Sequence, residues 1–148
     1  MISSQLIDKL EKKIKINTYT TYLHVAAIII KNDIISIGIN YFPNCDDMTI
    51  HAEVNAINKL KNNKGKLKNV NLVVIRFSPN LYLLGNSKCC IECILKMSMI
   101  RQKGYRINKV FYSTEYGSIT KISFSKLKND KNFHICKNSK NKNKKFII

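Results

Sequence analysis

Two short motifs constrain this chain more than any other feature. One carries His51 and Glu53, and the other carries Cys90 and Cys93, with Cys89 directly before them. One imidazole nitrogen and two sulfurs can bind zinc tetrahedrally and leave its fourth position open. The two motifs must therefore meet in the folded protein. We predict a Zn²⁺ site whose ligands are His51, Cys90 and Cys93.

The choice of sulfurs rests on helix geometry. Cys90 and Cys93 are three residues apart, so both side chains lie on one face of a first helical turn. A helix N-terminus also favours the thiolate form that zinc binds. Cys89 with Cys93 is a feasible i, i+4 pair and remains open. A closed structural site that uses all three cysteines is disfavoured, because adjacent residues of a helix point to different sides.

Glu53 gives the site a hydrolytic character. A zinc ion with an open position lowers the pKa of a bound water from 15.7 toward about 7. A carboxylate beside that water can take its proton and pass protons to the substrate. A closed structural site would leave Glu53 without a role, so we interpret it as a proton shuttle.

Apolar periodicity predicts an α/β fold. We predict helices over residues 3–15, 50–61 and 90–102 and strands over residues 25–30, 34–39, 70–77, 107–113 and 119–124. The first two strands and the last two are separated only by turns, so each pair is predicted to be antiparallel. Ser4 is expected to cap the first helix and Thr49 the second. His24, at the start of the first strand, is expected to be a structural histidine with satisfied hydrogen bonds.

Length and composition place limits on the chain. Its 148 residues suit one domain, and it contains no apolar run of the length that spans a bilayer. Three of the five cysteines lie within five positions, which favours a metal site in a reducing compartment over a disulfide framework. We therefore expect a cytoplasmic protein with no membrane partner.

The net charge of +17 favours phosphate-bearing ligands. Only three basic residues are arginines, however, and dedicated nucleic-acid surfaces usually rely on arginine. A nucleic-acid partner is therefore possible but not favoured. Residues 126–148 are rich in Lys and Asn without periodicity and are predicted to form a mobile tail.

The paired motifs resemble the cytidine and deoxycytidylate deaminase superfamily, whose signature joins His-x-Glu to a later Pro-Cys-x-x-Cys. The resemblance covers about residues 25–124. It implies a three-layer α-β-α cytidine-deaminase-like fold with a mixed central sheet of about five strands and an antiparallel final hairpin. A zinc-dependent deaminase domain would then occupy residues 1–125. Cys89 replaces the family's usual proline, which affects the geometry of the loop before the metal ligands.

The resemblance also implies residue roles. Glu53 matches the proton shuttle, and Asn40 matches the asparagine that contacts the sugar. The backbone N–H of Ala52 would meet the base carbonyl, and the carbonyl of Ser87 would take the amino group. Two features point to different branches: the segment 38–47 is similar to deoxycytidylate deaminases, whereas the hairpin over residues 107–124 is similar to cytidine deaminases.

The sequence thus predicts a zinc-dependent hydrolytic deaminase that converts the cytosine-type base of a free nucleoside or nucleotide to the uracil form and releases ammonia. Such an enzyme is a hydrolase acting on C–N bonds of cyclic amidines. The alternatives are a polynucleotide deaminase or binding protein and a non-catalytic zinc-stabilised scaffold. The resemblance also implies a homo-oligomer, since members of this family commonly complete their pockets across subunits.

Overall fold

A computed structural model describes residues 2–15, 23–41, 50–77 and 84–130. Its helices are α1 Ser4–Lys15, α2 Ala52–Lys59, α3 Ile91–Ser98 and α4 Phe124–Asn129, and a 3-10 helix, Met99–Lys103, follows α3 directly. Its strands are β1 Leu23–Ile30, β2 Asp33–Ile39, β3 Lys68–Phe77, β4 Leu84–Gly85, β5 Tyr105–Ser113 and β6 Ile119–Ser123. Each predicted helix and strand is present, with ends shifted by a few residues.

The strands form one mixed sheet in the order β2-β1-β3-β5-β6. Neighbouring strands are antiparallel except for β3 and β5, which run parallel. The two-residue strand β4 adds an antiparallel pair to the end of β3. The predicted mixed sheet with an antiparallel final hairpin is confirmed.

The sheet is covered on both faces, so the fold has three layers. On one face α1 packs through Leu6, Leu10 and Ile14, and on the other α2 and α3 cover a second core. The run in the middle of β3 is 0–1% exposed, because alternate side chains enter opposite cores: Leu72, Val73, Val74 and Ile75. A continuous apolar run is typical of a strand buried on both faces.

One local prediction about α1 needs correction. The hydroxyl of Ser3, not Ser4, accepts the backbone N–H of Leu6 at 3.2 Å and caps α1. Ser4 is already the first helical residue, which leaves the capping position to Ser3.

The described fold continues beyond the predicted domain boundary at residue 125. Helix α4 is capped by the hydroxyl of Ser123, and Leu127 within it is 1% exposed. An ion pair between Lys88 and Asp130 joins the end of this region to the segment before α3. Residues 126–130 are therefore part of the described fold, contrary to the prediction of a mobile tail over residues 126–148. Residues 131–148 lie outside the described residues, as does Thr49. None of the described helices has the length and apolar character that crossing a bilayer requires.

Candidate active site

The first part of the site is the start of α2. Tyr41 and Ile50 form an isolated antiparallel bridge, with backbone N···O distances of 3.0 and 2.8 Å. This bridge returns the chain from the end of β2 to His51, the N-cap residue of α2. The backbone carbonyl of His51 accepts the first helical hydrogen bond from Asn55 at 3.0 Å, while its side chain makes no capping bond. The imidazole is therefore left to contact groups outside its own helix.

The second part is the start of α3. Cys90 is the N-cap residue of this helix, and its carbonyl accepts the N–H of Ile94 at 3.0 Å. Cys93 lies in the first turn, so the two sulfurs are on the same side of the helix, as the spacing predicted. Both residues are buried, at 4% and 1% exposure.

The two helix starts meet at His51. Its Nδ1 lies 3.2 Å from the Sγ of Cys93 and 3.4 Å from the Sγ of Cys90. All three donor atoms lie within 4.8 Å of one another. In a tetrahedral zinc site with ordinary bond lengths, the N···S edge is about 3.5 Å. The arrangement of these three side chains therefore fits a zinc ion.

Hydrogen bonds among these three groups shift the pKa of each of them. A hydrogen bond from the Cys93 thiol is the main cause that lowers the pKa of Cys90 to about 4, and a bond from His51 adds to it. The same contact with Cys90, together with burial, raises the pKa of Cys93. The bond to Cys90 also raises the pKa of His51, against the effect of burial. Binding of zinc to these atoms would release protons, because thiolate and neutral imidazole are the forms that bind the metal.

Glu53 lies in the first turn of α2, two residues after His51, and is 5% exposed. Burial is the main cause that raises the pKa of its carboxyl group, while the positive charge of His51 opposes that rise. A buried carboxyl group with a raised pKa can both accept and donate a proton near neutral pH. These are the properties that a proton shuttle needs.

Cys89 points to a different partner from its neighbour. Burial raises the pKa of its thiol, which is 1% exposed, well above the ordinary range, and interaction with the Glu53 carboxyl group raises it further. Among the described residues, the group whose donor atoms lie close enough to hold a metal contains His51, Cys90 and Cys93 without Cys89. This geometry favours Cys90 with Cys93 over the Cys89–Cys93 pair and over a closed site.

The three residues expected to contact substrate lie around these helix starts. The Asn40 side-chain oxygen accepts the backbone N–H of His24 at 3.0 Å, and the Asn40 N–H donates to the His24 carbonyl at 3.3 Å. Ala52 is the first residue of α2, so its N–H has no acceptor within the helix. Ser87 lies three residues before Cys90 and is 4% exposed. Their contacts with substrate remain predictions.

His24 is not the satisfied structural residue that the sequence predicted. Its Nε2 is buried and has no hydrogen-bond partner within the described part of the chain. Burial first, then the charge of Arg76, lowers the pKa of His24 to about 4. The two residues are cross-strand partners in β1 and β3, which the sequence alone did not reveal.

Sequence reasoning also missed the polar residues that hold α2 against β2. The Ser36 hydroxyl donates to the Ala56 carbonyl at 2.6 Å, and the Asn55 side-chain amide donates to the Ile39 carbonyl at 2.9 Å. Both residues are buried. The bond made by Asn55 could have been anticipated from the sequence, because a polar residue on the inner face of a predicted helix needs a buried partner.

The fold resembles that of known deaminases. The crystal structure of cytidine deaminase from Burkholderia pseudomallei aligns with a TM-score of 0.51 and 14% identity, covering 84% of this chain and 95% of that one. Two crystal structures of dCMP deaminase from the cyanophage S-TIM5 align with TM-scores of 0.44 and 18% identity. The alignment with the apo form covers 76% of this chain and 85% of that chain. The alignment with the complex with dCMP and dUMP covers 78% of this chain and 86% of that chain.

Comparison with curated proteins gives no match. The model of the family described as "Cytidine and deoxycytidylate deaminase zinc-binding region" matches residues 3–114, which include both motifs and all three proposed ligands. This match spans most of the chain and confirms the resemblance that the motifs indicated. The protein belongs to the cytidine and deoxycytidylate deaminase family.

Proposed function

We propose that the protein is a hydrolytic deaminase that converts the cytosine-type base of a free nucleoside or nucleotide to the uracil form and releases ammonia. The observation that carries this proposal is the burial of Glu53 at the start of α2, two residues from His51 and in the same region as Cys90 and Cys93. Family membership supports a hydrolase acting on a C–N bond.

The zinc site and Glu53 divide the chemistry between them. His51, Cys90 and Cys93 would hold Zn²⁺, which acts when bound as a Lewis acid and lowers the pKa of water. Glu53 accepts a proton from the attacking water, delivers it to the ring N3, and later supplies a proton to the departing amino nitrogen. One water is consumed, the C–NH₂ bond breaks, and a C=O bond forms.

Three backbone or side-chain groups orient the substrate in this proposal. The N–H of Ala52 donates to the base carbonyl, and the carbonyl of Ser87 accepts from the exocyclic amine. The side-chain oxygen of Asn40 accepts a hydrogen bond from the His24 N–H, so the amide NH₂ of Asn40 is the group directed to the sugar. Fixed donors and acceptors of this kind reduce the cost of orienting the base.

The proposal is tested by an ammonia-release screen over nucleosides, nucleotides and short oligonucleotides, with zinc content measured on the same sample. We expect ammonia from at least one free nucleoside or nucleotide and close to one zinc per chain. Ammonia from oligonucleotides alone would overturn the choice of substrate class. Absence of ammonia from every substrate by a zinc-loaded sample would overturn the deaminase assignment.

A polynucleotide substrate is the second candidate, and the net charge of +17 is the observation that favours it. Binding through phosphate contacts would weaken steeply as salt is raised. Single-strand affinity measured at 50 mM and 200 mM salt therefore separates this candidate from a small-molecule enzyme.

A non-catalytic zinc scaffold is the third candidate, and it would keep its partner function when Glu53 is replaced by Ala.

We also propose that the protein is a homo-oligomer. Leu95 and Met99, one helical turn apart across the junction of α3 and the 3-10 helix, are 59% and 49% exposed. Exposed large apolar side chains at neighbouring positions are typical of a contact surface. Light scattering coupled to gel filtration measures the mass directly, and Leu95→Glu is expected to reduce it to that of a monomer.

A further inference from the structure

Two buried serines connect the ends of β3 and β5 to the segment that leads into α3. Ser113, the last residue of β5, is 0% exposed, and Ser87 is 4% exposed. The Ser87 N–H donates to the Ser113 carbonyl at 2.9 Å, and the Ser113 N–H donates to the Ser87 hydroxyl at 2.8 Å. These reciprocal bonds hold the two residues together although they come from distant parts of the chain.

The two hydroxyls extend this connection to the neighbouring strands. Ser87 donates its hydroxyl proton to the Val74 carbonyl in β3 at 2.7 Å. Ser113 donates to the Gly85 carbonyl in β4 at 2.6 Å and accepts the Arg76 N–H at 3.0 Å. The segment between β4 and Cys90 is thereby fixed to β3 and β5 by buried hydrogen bonds, which are costly to break.

One acceptor of this network is left over. Within the described ranges, no group donates a hydrogen bond to the backbone carbonyl oxygen of Ser87. Buried carbonyl groups are normally paired, so a fixed carbonyl with spare acceptor capacity, three residues before a proposed zinc ligand, suits a donor on the substrate. An exocyclic amino group is such a donor.

We propose that Ser113 is a positioning residue for the substrate amino group, which it orients by holding the Ser87 carbonyl in place. This inference rests on the proposed deaminase function. Ser113 does not touch the substrate itself. Removing its hydroxyl would remove its hydrogen bonds with the Arg76 N–H and the Gly85 carbonyl, loosen the segment that carries Ser87, and weaken recognition of the amino group specifically.

The test compares two ligands that differ only in that amino group. One is the nucleoside or nucleotide that is most active in the ammonia screen, and the other is its pyrimidin-2-one counterpart, which has hydrogen at C4. Dissociation constants are measured calorimetrically in a Glu53→Gln background, so that neither ligand reacts. We expect Ser113→Ala to weaken the amino-bearing ligand by about 5- to 10-fold, the loss typical of one hydrogen bond, and the pyrimidin-2-one by less than twofold.

Ser36→Ala is the matched control. Ser36 is also a buried strand serine whose hydroxyl donates to a backbone carbonyl at 2.6 Å, but its partner is Ala56 in α2. We expect it to leave the ratio of the two dissociation constants unchanged. Zinc content and melting temperature are measured for every variant, and Ser87→Ala carries the same test if Ser113→Ala fails to fold.

The outcomes separate the two proposals. If Ser113→Ala weakens both ligands equally, or weakens neither, the positioning role is wrong while the deaminase assignment stands. If the unmodified protein releases no ammonia from any substrate, the proposed function fails and the positioning role fails with it. A selective loss for the amino-bearing ligand, absent in Ser36→Ala, supports the role of Ser113.

Discussion

The thiol of Cys89 interacts with the carboxyl group of Glu53, whereas the Sγ of the adjacent Cys90 lies 3.4 Å from the Nδ1 of His51. Two neighbouring cysteines thus serve different parts of one site. Cys89 contacts the group that is proposed to move protons, and Cys90 contacts a group that is proposed to bind metal. Because Cys89 stands where the family signature has proline, its contact with Glu53 is a feature of this chain.

This division predicts different effects for two alanine substitutions. Cys90→Ala removes a zinc ligand and is expected to lower zinc affinity by about 100-fold or more, since even the loss of groups that only orient ligands costs about 10- to 100-fold. Cys89→Ala is expected to keep one zinc per chain and to lower turnover by about 3- to 10-fold, because Glu53 loses the neighbouring thiol that interacts with its carboxyl group. Metal analysis and chelator competition measure the first effect, and steady-state kinetics measures the second. Loss of zinc from Cys89→Ala would favour the Cys89–Cys93 pair.

Glu53→Gln is expected to lower turnover by about 10²- to 10⁴-fold, the usual contribution of a general acid–base group. The amide keeps the size of the side chain but cannot carry the proton. Zinc content should not change, because Glu53 is not among the three groups that could bind the metal. Glu115→Gln, in the exposed turn between β5 and β6, is the control and should keep full activity. Full activity of Glu53→Gln would exclude the proton-shuttle role.

Gly38→Ala is expected to disturb the site from outside it. A Cβ at this position in β2 would lie 2.5 Å from the Ala52 carbonyl oxygen and 2.9 Å from the Ala56 Cα. Helix α2 would have to move, at a cost of about 1–3 kcal/mol in the free energy of unfolding, and zinc affinity should fall because α2 positions His51. Urea denaturation measures the stability. Gly65→Ala, whose nearest atom would be 3.7 Å away, should change it by less than about 0.5 kcal/mol.

The lowered pKa of His24 predicts that the protein loses stability in weak acid. In the unfolded chain it binds a proton below about pH 6.5, whereas its pKa in the folded protein is about 4. Between these values the unfolded state binds more protons than the folded state. The contribution of His24 to the free energy of unfolding is therefore complete above pH 6.5 and falls as the pH decreases toward 4. The fall due to this residue reaches about 3 kcal/mol.

His24→Gln isolates that contribution, because the groups of the proposed zinc site titrate in both proteins. Denaturant unfolding at a series of pH values should give curves for the two proteins that diverge below pH 6.5, with the wild type losing more stability. Parallel curves would show that burial does not keep His24 neutral in the folded protein.

Much of the fold could be predicted because its signals are local. The alternating strands, the apolar run in β3 and the helical spacing of α1 reflect side-chain periods that the backbone imposes. The cap of α1 was assigned one residue too late, since Ser3 and Ser4 are equivalent in type and only the packing of Leu6 against the sheet selects between them. Helix α4 was missed because its apolar contacts, made through Phe124 and Leu127, involve the rest of the core rather than its own short sequence.

The sequence alone determined the chemistry that is available: an imidazole, two thiols at helical spacing, and a carboxylate two residues from the imidazole. Ligand type and spacing are local properties, and zinc chemistry depends on them directly. Only the tertiary structure decided that Cys89 contacts Glu53, that His24 lies beside Arg76, and that Ser113 holds Ser87. These are contacts between segments far apart in the chain. They exist only because the pairing of β3 with β1 and with β5, and the meeting of two helix starts, bring those segments together.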